Sequence, residues 1–286
     1  MIVFMSISAE PNSVKALDLD LDGTILAPGV VLTERTIRAV KACCQRGLKA
    51  IIATGRAIDG TEPFREALGL EGPMIYCNGA IILDMPSGRI LSTTLLDKES
   101  TLFCVDISRK TGVYYQAYFP GTVDRRENTL IAERDGPERE LYFTHAGMRA
   151  ELGDLKEILN RPGAEGCIKG MFMAEPEILQ ELRPKLEEHF GKNVYLVHTF
   201  RTYLETMNAN VSKGRGLKLI MEHYSLKSEE VIAFGDEEND LPMFAAAGFS
   251  AAPANAKDNV KAAADIVIGS NAEDGVAAFL EEFFGL

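Results

Sequence analysis

The sequence predicts an α/β protein whose main domain is built on a parallel sheet. Short apolar runs are followed repeatedly by a glycine-containing turn and then by an amphipathic pattern, as in parallel strands covered by helices. With 286 residues, 46% of them apolar and 25% charged, the chain suffices for one large or two modest domains. The alternation stops after Asp84 and resumes from Ser212. We therefore expect a core at residues 1–83 and 207–286, interrupted by an inserted α+β domain at residues 84–206.

The first part of the core contains three strand signals, each ending in a polar turn. Thr33 has the residue type of an N-cap, and the helix after it has Ile37, Val40 and Cys44 on one face. The predicted strands are Val14–Leu21, Leu48–Ala53 and Met74–Cys77, the last followed by Ala80–Leu83.

The insertion and the second part of the core carry the remaining signals. Met85-Pro86-Ser87-Gly88 indicates a turn at the start of the insertion. The other predicted elements are a strand at Gly112–Phe119, helices at Pro176–Phe190, Lys213–Tyr224 and Leu241–Ala247, strands at Val231–Phe234 and Asp265–Ile268, and a C-terminal helix.

Charge and composition exclude several classes of partner. A formal net charge of −12 has the wrong sign for binding a phosphate backbone, so we expect no nucleic-acid partner. No apolar run approaches the roughly 20 residues of a membrane span, and the first residues lack a basic leader segment, which predicts a cytoplasmic protein without a membrane partner. Five cysteines without CxxC spacing indicate free thiols. The sequence carries no signal of oligomeric state.

The stretch Asp18-Leu19-Asp20-Leu21-Asp22-Gly23-Thr24 is the most informative. The two-residue period of a strand places all three carboxylates on one face. Ligands of open α/β sheets lie beyond the carboxyl ends of the strands, so Asp20 and Asp22 can meet a ligand while Asp18 lies deeper. Three carboxylates on an otherwise apolar strand call for a compensating positive charge, such as a divalent cation.

Two further sites suit an anion. The hydroxyl of Thr54 and the amides of the turn that follows it can donate hydrogen bonds, although such turns are also common at the ends of strands that bind no ligand. Lys213 follows the probable N-cap Ser212, where it opposes the helix dipole unless a phosphate or a carboxylate lies nearby.

A second acidic motif follows the strand at Val231–Phe234. Asp236 stands at the strand's carboxyl end, whereas Asp240 could simply cap the next helix. Oxygen ligands from Asp20 and Asp236, with a backbone carbonyl, suit Mg²⁺. P-loop, dinucleotide-binding, zinc-protease and serine-hydrolase motifs are absent from the sequence, and the four histidines show no ligand spacing.

Taken together, these motifs resemble the haloacid dehalogenase-like phosphatase superfamily, in its Cof-type branch with a C2-type cap. The resemblance covers nearly the whole chain and implies a Rossmann-like, doubly wound core with an inserted cap domain. It rests on Asp20-Leu21-Asp22-Gly23-Thr24, Ala53-Thr54-Gly55-Arg56, Asn78-Gly79-Ala80, Ser212-Lys213-Gly214, Gly235-Asp236-Glu237-Glu238-Asn239-Asp240 and the tail from Asn255-Ala256 to Glu273-Asp274-Gly275-Val276.

The resemblance also implies roles for individual residues. Asp20 would be the nucleophile that forms an aspartyl-phosphate, and Asp22 the general acid and base. Mg²⁺ would be held by Asp20, the backbone carbonyl of Asp22 and Asp236. Lys213 and Thr54 would hold the phosphoryl group, and Asp240 would orient Lys213. The further substrate-side or phosphate-side residues implied are Gly23, Thr24, Gly55, Asn78, Gly79 and Asn239.

Two positions depart from the family pattern. Members usually have a small or apolar residue in place of Asp18, so either Asp18 has a buried partner or the local register differs. Pro253 stands where methionine is usual, which could reshape a loop near the phosphate.

The sequence therefore predicts a Mg²⁺-dependent phosphatase of small phosphorylated metabolites, with sugar phosphates as the leading class. Alternatives are a phosphomutase on the same fold and a non-catalytic sugar-phosphate binding protein. Dehalogenation is less favoured, because it needs neither Asp22 nor a metal.

Overall fold

The computed structural model describes residues 10–120 and 129–286, and the N-terminal stretch in which we expected no leader lies outside them. The chain divides into a core unit, Met1–Leu91 with Ser212–Leu286, and an inserted unit, Ser92–Val211. The strands are β1 Ala16–Leu19, β2 Lys49–Ile52, β3 Gly72–Tyr76, β4 Ile81–Met85, β5 Arg89–Thr93, β6 Leu96–Asp97, β7 Tyr114–Phe119, β8 Thr129–Ala132, β9 Glu151–Leu152, β10 Gly166–Cys167, β11 Lys169–Met173, β12 Val194–Phe200, β13 Tyr203–Asn208, β14 Val231–Phe234, β15 Phe249–Pro253 and β16 Ile266–Ile268. The helices are α1 Glu34–Gln45, α2 Glu62–Leu68, α3 Lys98–Thr111, α4 Pro137–Ala146, α5 Leu155–Leu159, α6 Pro176–Phe190, α7 Lys213–Tyr224, α8 Leu241–Phe244, α9 Asp258–Ala263 and α10 Gly275–Phe284.

The sheet of the core unit is parallel and has the strand order β16-β15-β14-β1-β2. Strand β1 is central, fully buried, and paired in parallel with β14 on one side and with β2 on the other. The direction of winding reverses between β1 and β14, which makes this pair the topological switch point of the sheet. The predicted doubly wound α/β fold is confirmed.

The first helix begins as its cap residue predicts, but its buried face is shifted. The hydroxyl of Thr33 accepts a hydrogen bond from the N–H of Thr36, 3.1 Å away. Val40 is buried as expected, whereas Ile37 and Cys44 are only half-buried. The other fully buried side chains of the helix are Thr36, Ala39 and Cys43, each one residue before a predicted position. Small residues pack close to a sheet, which the apolar pattern alone does not reveal.

Strand β3 forms as predicted, yet its continuation runs back beside it. β3 and β4 pair antiparallel, from Gly72 opposite Met85 to Tyr76 opposite Ile81. Only residues 77–80 connect the two strands, which is too short for the crossover that parallel strands require. A parallel bridge between Ala53 and Ile75 places β3 beside the end of β2.

The second part of the core follows the predicted order, but strand β15 and helix α9 were not predicted. Helix α7 and strand β14 have the predicted bounds, whereas α8 is shorter than the predicted Leu241–Ala247. The unpredicted strand β15 contains Ser250-Ala251-Ala252-Pro253, which lacks the branched side chains that signal a strand. Pro253 is its last residue and pairs with Ile268 of β16.

The inserted unit is built on a six-stranded sheet of order β12-β13-β11-β7-β8-β9. Phe172 and Leu204 on one face join an apolar cluster that includes Leu179, Leu182 and Leu186 of α6. Because side chains alternate along a strand, Lys169 and Glu205 lie on the face turned away from that cluster. Within the described residues, every helix is too short or too polar to cross a bilayer.

Candidate active site

The acidic motifs meet at the carboxyl edge of the core sheet. Asp20 comes directly after β1 and its backbone N–H donates to the carbonyl of Phe234, the last residue of β14, at 3.0 Å. Asp236 lies two residues beyond Phe234. Both carboxylates therefore lie at the switch point, where α/β sheets bind ligands.

Lys213 reaches this edge from the first turn of α7. The hydroxyl of Ser212 caps the helix by accepting from the N–H of Arg215 at 3.1 Å. Gly214 allows α7 to pack closely on α8, since a Cβ there would lie 2.0 Å from the carbonyl oxygen of Pro242. The lysine side chain, 1% exposed, is thereby directed inward, toward carboxylates.

Lys213 joins two buried carboxylates. Its Nζ donates to Oδ1 of Asp20 at 2.5 Å and to Oδ1 of Asp240 at 2.6 Å. The other oxygen of Asp240, Oδ2, accepts from the backbone N–H groups of Asp236 and Glu237, both at 2.9 Å. Asp240 thus fixes the lysine on one side and the loop that carries Asp236 on the other.

The site concentrates negative charge in a buried space. Burial raises the pKa of Asp20 well above its usual range, and the charges of Asp240 and Asp236 act in the same direction against the opposing effect of Lys213. Burial raises the pKa of Asp236 to about 7, with a further contribution from the charge of Asp240. Burial would lower the pKa of Lys213, but the two carboxylates that it contacts raise it instead.

The residues fit a divalent cation. Carboxylate oxygens of Asp20, Asp236 and Asp240 lie within 4.8 Å of one another. Gly23 makes room for Asp236, because a Cβ at Gly23 would lie 2.1 Å from Asp236 Oδ2. Three carboxylates face a single ammonium group, and hard oxygen donors around an excess of negative charge are what Mg²⁺ prefers.

Gly23 and Thr24 contact Asp236 in this arrangement. The hydroxyl of Thr24 donates to Asp236 Oδ1 at 3.0 Å, inside the protein. The resemblance implied that both residues face the phosphate. Both residues contact the candidate metal ligand Asp236.

Asp18 lies in β1, opposite Ala233 of β14 and Ile51 of β2. It is fully buried, and within residues 10–120 and 129–286 neither of its carboxyl oxygens has a hydrogen-bond partner. The buried positive charge that acts on it is that of Lys213. Burial raises the pKa of Asp18 to about 8, and the charge of Lys213 opposes this only in part. At neutral pH the side chain is therefore mainly the uncharged acid, which can be buried without a counter-charge.

Asp22 is half exposed and is held by Arg56. The guanidinium donates from Nε to Oδ2 at 2.7 Å and from Nη2 to Oδ1 at 2.6 Å. Thr54, in the same turn as Arg56, is buried, and its hydroxyl accepts from the N–H of Arg56 at 3.1 Å. That hydroxyl keeps its own hydrogen for an anion.

The remaining predicted residues form a second group. Nδ2 of Asn239 donates to Oδ1 of Asn78 at 2.8 Å. Gly55 lies against the same amide, because its Cβ position is 3.2 Å from Asn78 Oδ1. Gly79 lies against the backbone carbonyl of Ser212, at the start of α7. This group thus connects the turn after β2, the turn after β3 and the loop after β14.

Three residues that contact the site were not predicted individually from the sequence: Arg56, Asn255 and Lys257. Asn255 donates from Nδ2 to the carbonyl of Gly23 at 2.8 Å, and Lys257 pairs with Glu237 at 2.8 Å. Arg56 carried a usable signal, since it follows the strand that pairs directly with β1. Asn255 appeared only as part of the family motif, without a contact assigned to it, and Lys257 carried no signal, because the strand β15 that precedes them was not predicted.

This edge of the sheet brings buried carboxylates, a lysine and the hydroxyl of Thr54 together, so it can bind a cation beside an anion. A family model for haloacid dehalogenase-like hydrolases matches residues 17–280, so the chain belongs to that family. Within it, the chain is a phosphatase of the Cof type.

Named relatives and a solved structure agree over nearly the whole chain. The chain is 30% identical to the pyridoxal phosphate phosphatase YbhA of Escherichia coli, over 93% of this chain and 97% of that protein. It is 27% identical to the 5-amino-6-(5-phospho-D-ribitylamino)uracil phosphatase YwtE of Bacillus subtilis, over 94% and 97%. A crystal structure from Thermotoga maritima matches with a TM-score of 0.82 and 30% identity, covering 94% of this chain and 97% of that one.

Proposed function

We propose that the protein is a Mg²⁺-dependent phosphomonoester hydrolase of small phosphorylated metabolites, with sugar phosphates as the leading class. The observation that carries the proposal is the buried carboxylate of Asp20, held by Lys213 beside Asp236 at the switch point of the sheet. Activities of the named relatives, on pyridoxal phosphate and on a ribityl phosphate, support the size and chemistry of the substrate.

In the first step an oxygen of Asp20 attacks phosphorus, and a bond from that oxygen to phosphorus forms. The bond between phosphorus and the ester oxygen breaks, and its electron pair stays on the ester oxygen. Asp22 gives that oxygen a proton, so the product leaves as an alcohol. The enzyme then holds an aspartyl-phosphate and Asp22 is a carboxylate.

In the second step a water oxygen attacks the phosphorus of the aspartyl-phosphate. Asp22 takes the proton of that water, while the bond from phosphorus to the Asp20 oxygen breaks. Inorganic phosphate leaves, and both carboxyl groups return to their starting forms.

Other side chains bind and orient. Lys213 and Thr54 hold the transferring phosphoryl group, and Asp240 orients Lys213 through the 2.6 Å contact. Asn239 contacts the phosphate side, with Asn78, Gly55 and Gly79 on the substrate side. Gly23 and Thr24 serve the site by fixing Asp236.

The metal would be held by Asp20, Asp236 and the backbone carbonyl of Asp22. When bound, Mg²⁺ supplies positive charge that offsets repulsion between the carboxylate nucleophile and the anionic substrate.

The experiment is phosphate release from p-nitrophenyl phosphate and from a panel of sugar phosphates, pyridoxal phosphate and ribityl phosphates, with Mg²⁺ or with EDTA. Wild type is compared with Asp20→Asn and with the control Asp258→Asn, which alters a fully exposed carboxylate of the same unit. We expect metal-dependent release that Asp20→Asn abolishes and Asp258→Asn leaves unchanged.

Retention of wild-type hydrolysis by Asp20→Asn would contradict the mechanism. Conversion of a sugar phosphate to its isomer without free phosphate would instead favour the phosphomutase. Ligand-induced melting shifts without turnover of any substrate would favour the binding protein.

A further inference from the structure

Arg56 makes a two-pronged contact with Asp22 at the rim of the candidate site. The two hydrogen bonds, 2.7 Å from Nε and 2.6 Å from Nη2, engage both oxygens of the carboxylate. This fork geometry fixes direction as well as distance, which a lysine could not do. Asp22 is 46% exposed, so without such a contact its side chain could adopt several rotamers.

The guanidinium is itself anchored from the side opposite Asp22. Nη1 donates to the backbone carbonyl of Gly60 at 3.2 Å, and the guanidinium carbon lies 5.2 Å from the centroid of the Phe64 ring. Asp22 is therefore tied to the segment that leads into α2.

The backbone of Arg56 is fixed as well. Its N–H donates to the hydroxyl of Thr54 at 3.1 Å, and its carbonyl accepts from the N–H of Cys77 at 2.9 Å. The turn that contributes Thr54 to the phosphate side thus also sets the position from which Arg56 reaches Asp22.

From this geometry we propose that Arg56 is a positioning residue for Asp22, a role that rests on the proposed function. Proton transfer requires the carboxyl oxygen to lie within hydrogen-bond reach of the ester oxygen, so the orientation of Asp22 limits the rate. Arg56 removes the rotational freedom of a half-exposed side chain, without being a catalytic residue itself.

The first test compares esters that differ in their need for a proton. Nitrophenolate leaves phosphorus without protonation, whereas an alkoxide does not. We compare kcat/KM, because in a two-step mechanism it covers only the steps up to departure of the leaving group. The esters are p-nitrophenyl phosphate and the best alkyl phosphomonoester of the substrate panel.

For Arg56→Met we expect kcat/KM for the alkyl ester to fall about 10- to 100-fold. For p-nitrophenyl phosphate we expect a loss below about 3-fold. Arg56→Lys keeps the charge without the fork and should fall between wild type and Arg56→Met. The matched control is Arg35→Met, which removes another forked pair of the core unit, with Glu281, and should leave both esters unaffected.

The second test is a double-mutant cycle with Asp22→Asn. If Arg56 acts through Asp22, adding Arg56→Met to Asp22→Asn should lower kcat/KM for the alkyl ester by no more than about 2-fold. Losses that multiply would overturn the proposal.

A third readout separates positioning from direct phosphate binding. Inhibition by inorganic phosphate should be the same for wild type and Arg56→Met within about 2-fold, because positioning leaves phosphate affinity alone. Weakened phosphate inhibition together with equal losses on both esters would assign Arg56 to the phosphate and overturn the proposal. If wild type hydrolyses no ester, the proposed function fails instead, so the two failures are distinguishable.

Discussion

Each unit of the molecule contains a lysine buried against carboxylates, and the two clusters are built differently. In the core unit, Lys213 lies at the start of a helix, and Asp20 and Asp240 lie in segments that follow strands. In the inserted unit, Lys169 and Glu205 both lie inside adjacent strands, β11 and β13, with 2.6 Å between Nζ and Oε1. Both strands lie in the interior of the six-stranded sheet.

The difference lies in what surrounds the carboxylates. Asp20 shares its space with Asp236 and Asp240, so the core cluster has more negative charge than one lysine can balance. In the inserted unit, Lys169 contacts Glu205, and Glu205 Oε2 has no hydrogen-bond partner among the described residues. An excess of negative charge at strand ends calls for a ligand, whereas an ion pair within a sheet mainly supports the fold.

The largest effect is expected from a substitution that breaks the core cluster. Lys213→Met should lower hydrolysis by about 10³- to 10⁴-fold, because the phosphoryl group loses a fixed positive charge. Initial rates with p-nitrophenyl phosphate measure this. Lys218→Met, an exposed lysine on the same helix, is the control and should keep wild-type rates. Rates for Lys213→Met within 10-fold of wild type would contradict the assignment.

Breaking the inserted pair should act on stability. Lys169→Met leaves the Glu205 carboxylate buried without its counter-charge, and we expect a loss of about 3–5 kcal/mol in the free energy of unfolding. Urea unfolding monitored by circular dichroism gives this value. The double variant Lys169→Met/Glu205→Leu should recover most of the loss, since it removes both charges. If Lys169→Met kept the free energy of unfolding of wild type, the pair would contribute little to stability.

Asp18 offers a pH-dependent test beside the core cluster. Its folded pKa, about 8, lies above the ordinary 3.8, so the charged form is favoured in the unfolded chain and the folded state loses stability as pH rises from about 4 to about 8. Asp18→Asn removes this cost. In EDTA, the stability gained should be more than about 2 kcal/mol larger at pH 8 than at pH 5. An equal gain in stability at pH 5 and pH 8 would show that Asp18 does not titrate between these pH values.

The smallest effect is expected for an exposed pair of the inserted unit. Arg183 and Glu187 lie one turn apart on α6, 2.7 Å between Nε and Oε1, and both are more than a third exposed. Arg183→Met should change stability by less than about 0.5 kcal/mol, because water screens the pair. If Arg183→Met lost as much free energy of unfolding as Lys169→Met, burial would not explain the difference between the two pairs.

Most of the site could be predicted because its residues stand at strand ends in short, specific motifs. Asp20 and Asp236 follow buried apolar runs, and parallel strands bring their carboxyl ends to one edge. The contact between Arg56 and Asp22 could not be predicted, since a forked ion pair depends on rotamers and on the anchor at Gly60. The hydrogen bond of Asn239 to Asn78 depends likewise on the loop between β3 and β4.

The missed strand β15 has a physical origin. Its Ser-Ala-Ala-Pro segment pairs with strands on both sides, but small residues give weak strand signals. The charge state of Asp18 is a separate case. Sequence reasoning assumed a charged carboxylate, whereas burial makes the neutral acid the stable form at neutral pH.

The position of the insertion sets an order of events during synthesis. Asp20 and Lys213 are 193 residues apart in the chain, so at about 5–20 residues per second the lysine is made about 10–40 s after the aspartate. Until β14 has been translated, β1 exposes an unpaired edge that is apolar on either side of its one aspartate. No fragment that ends before Lys213 can therefore assemble the site.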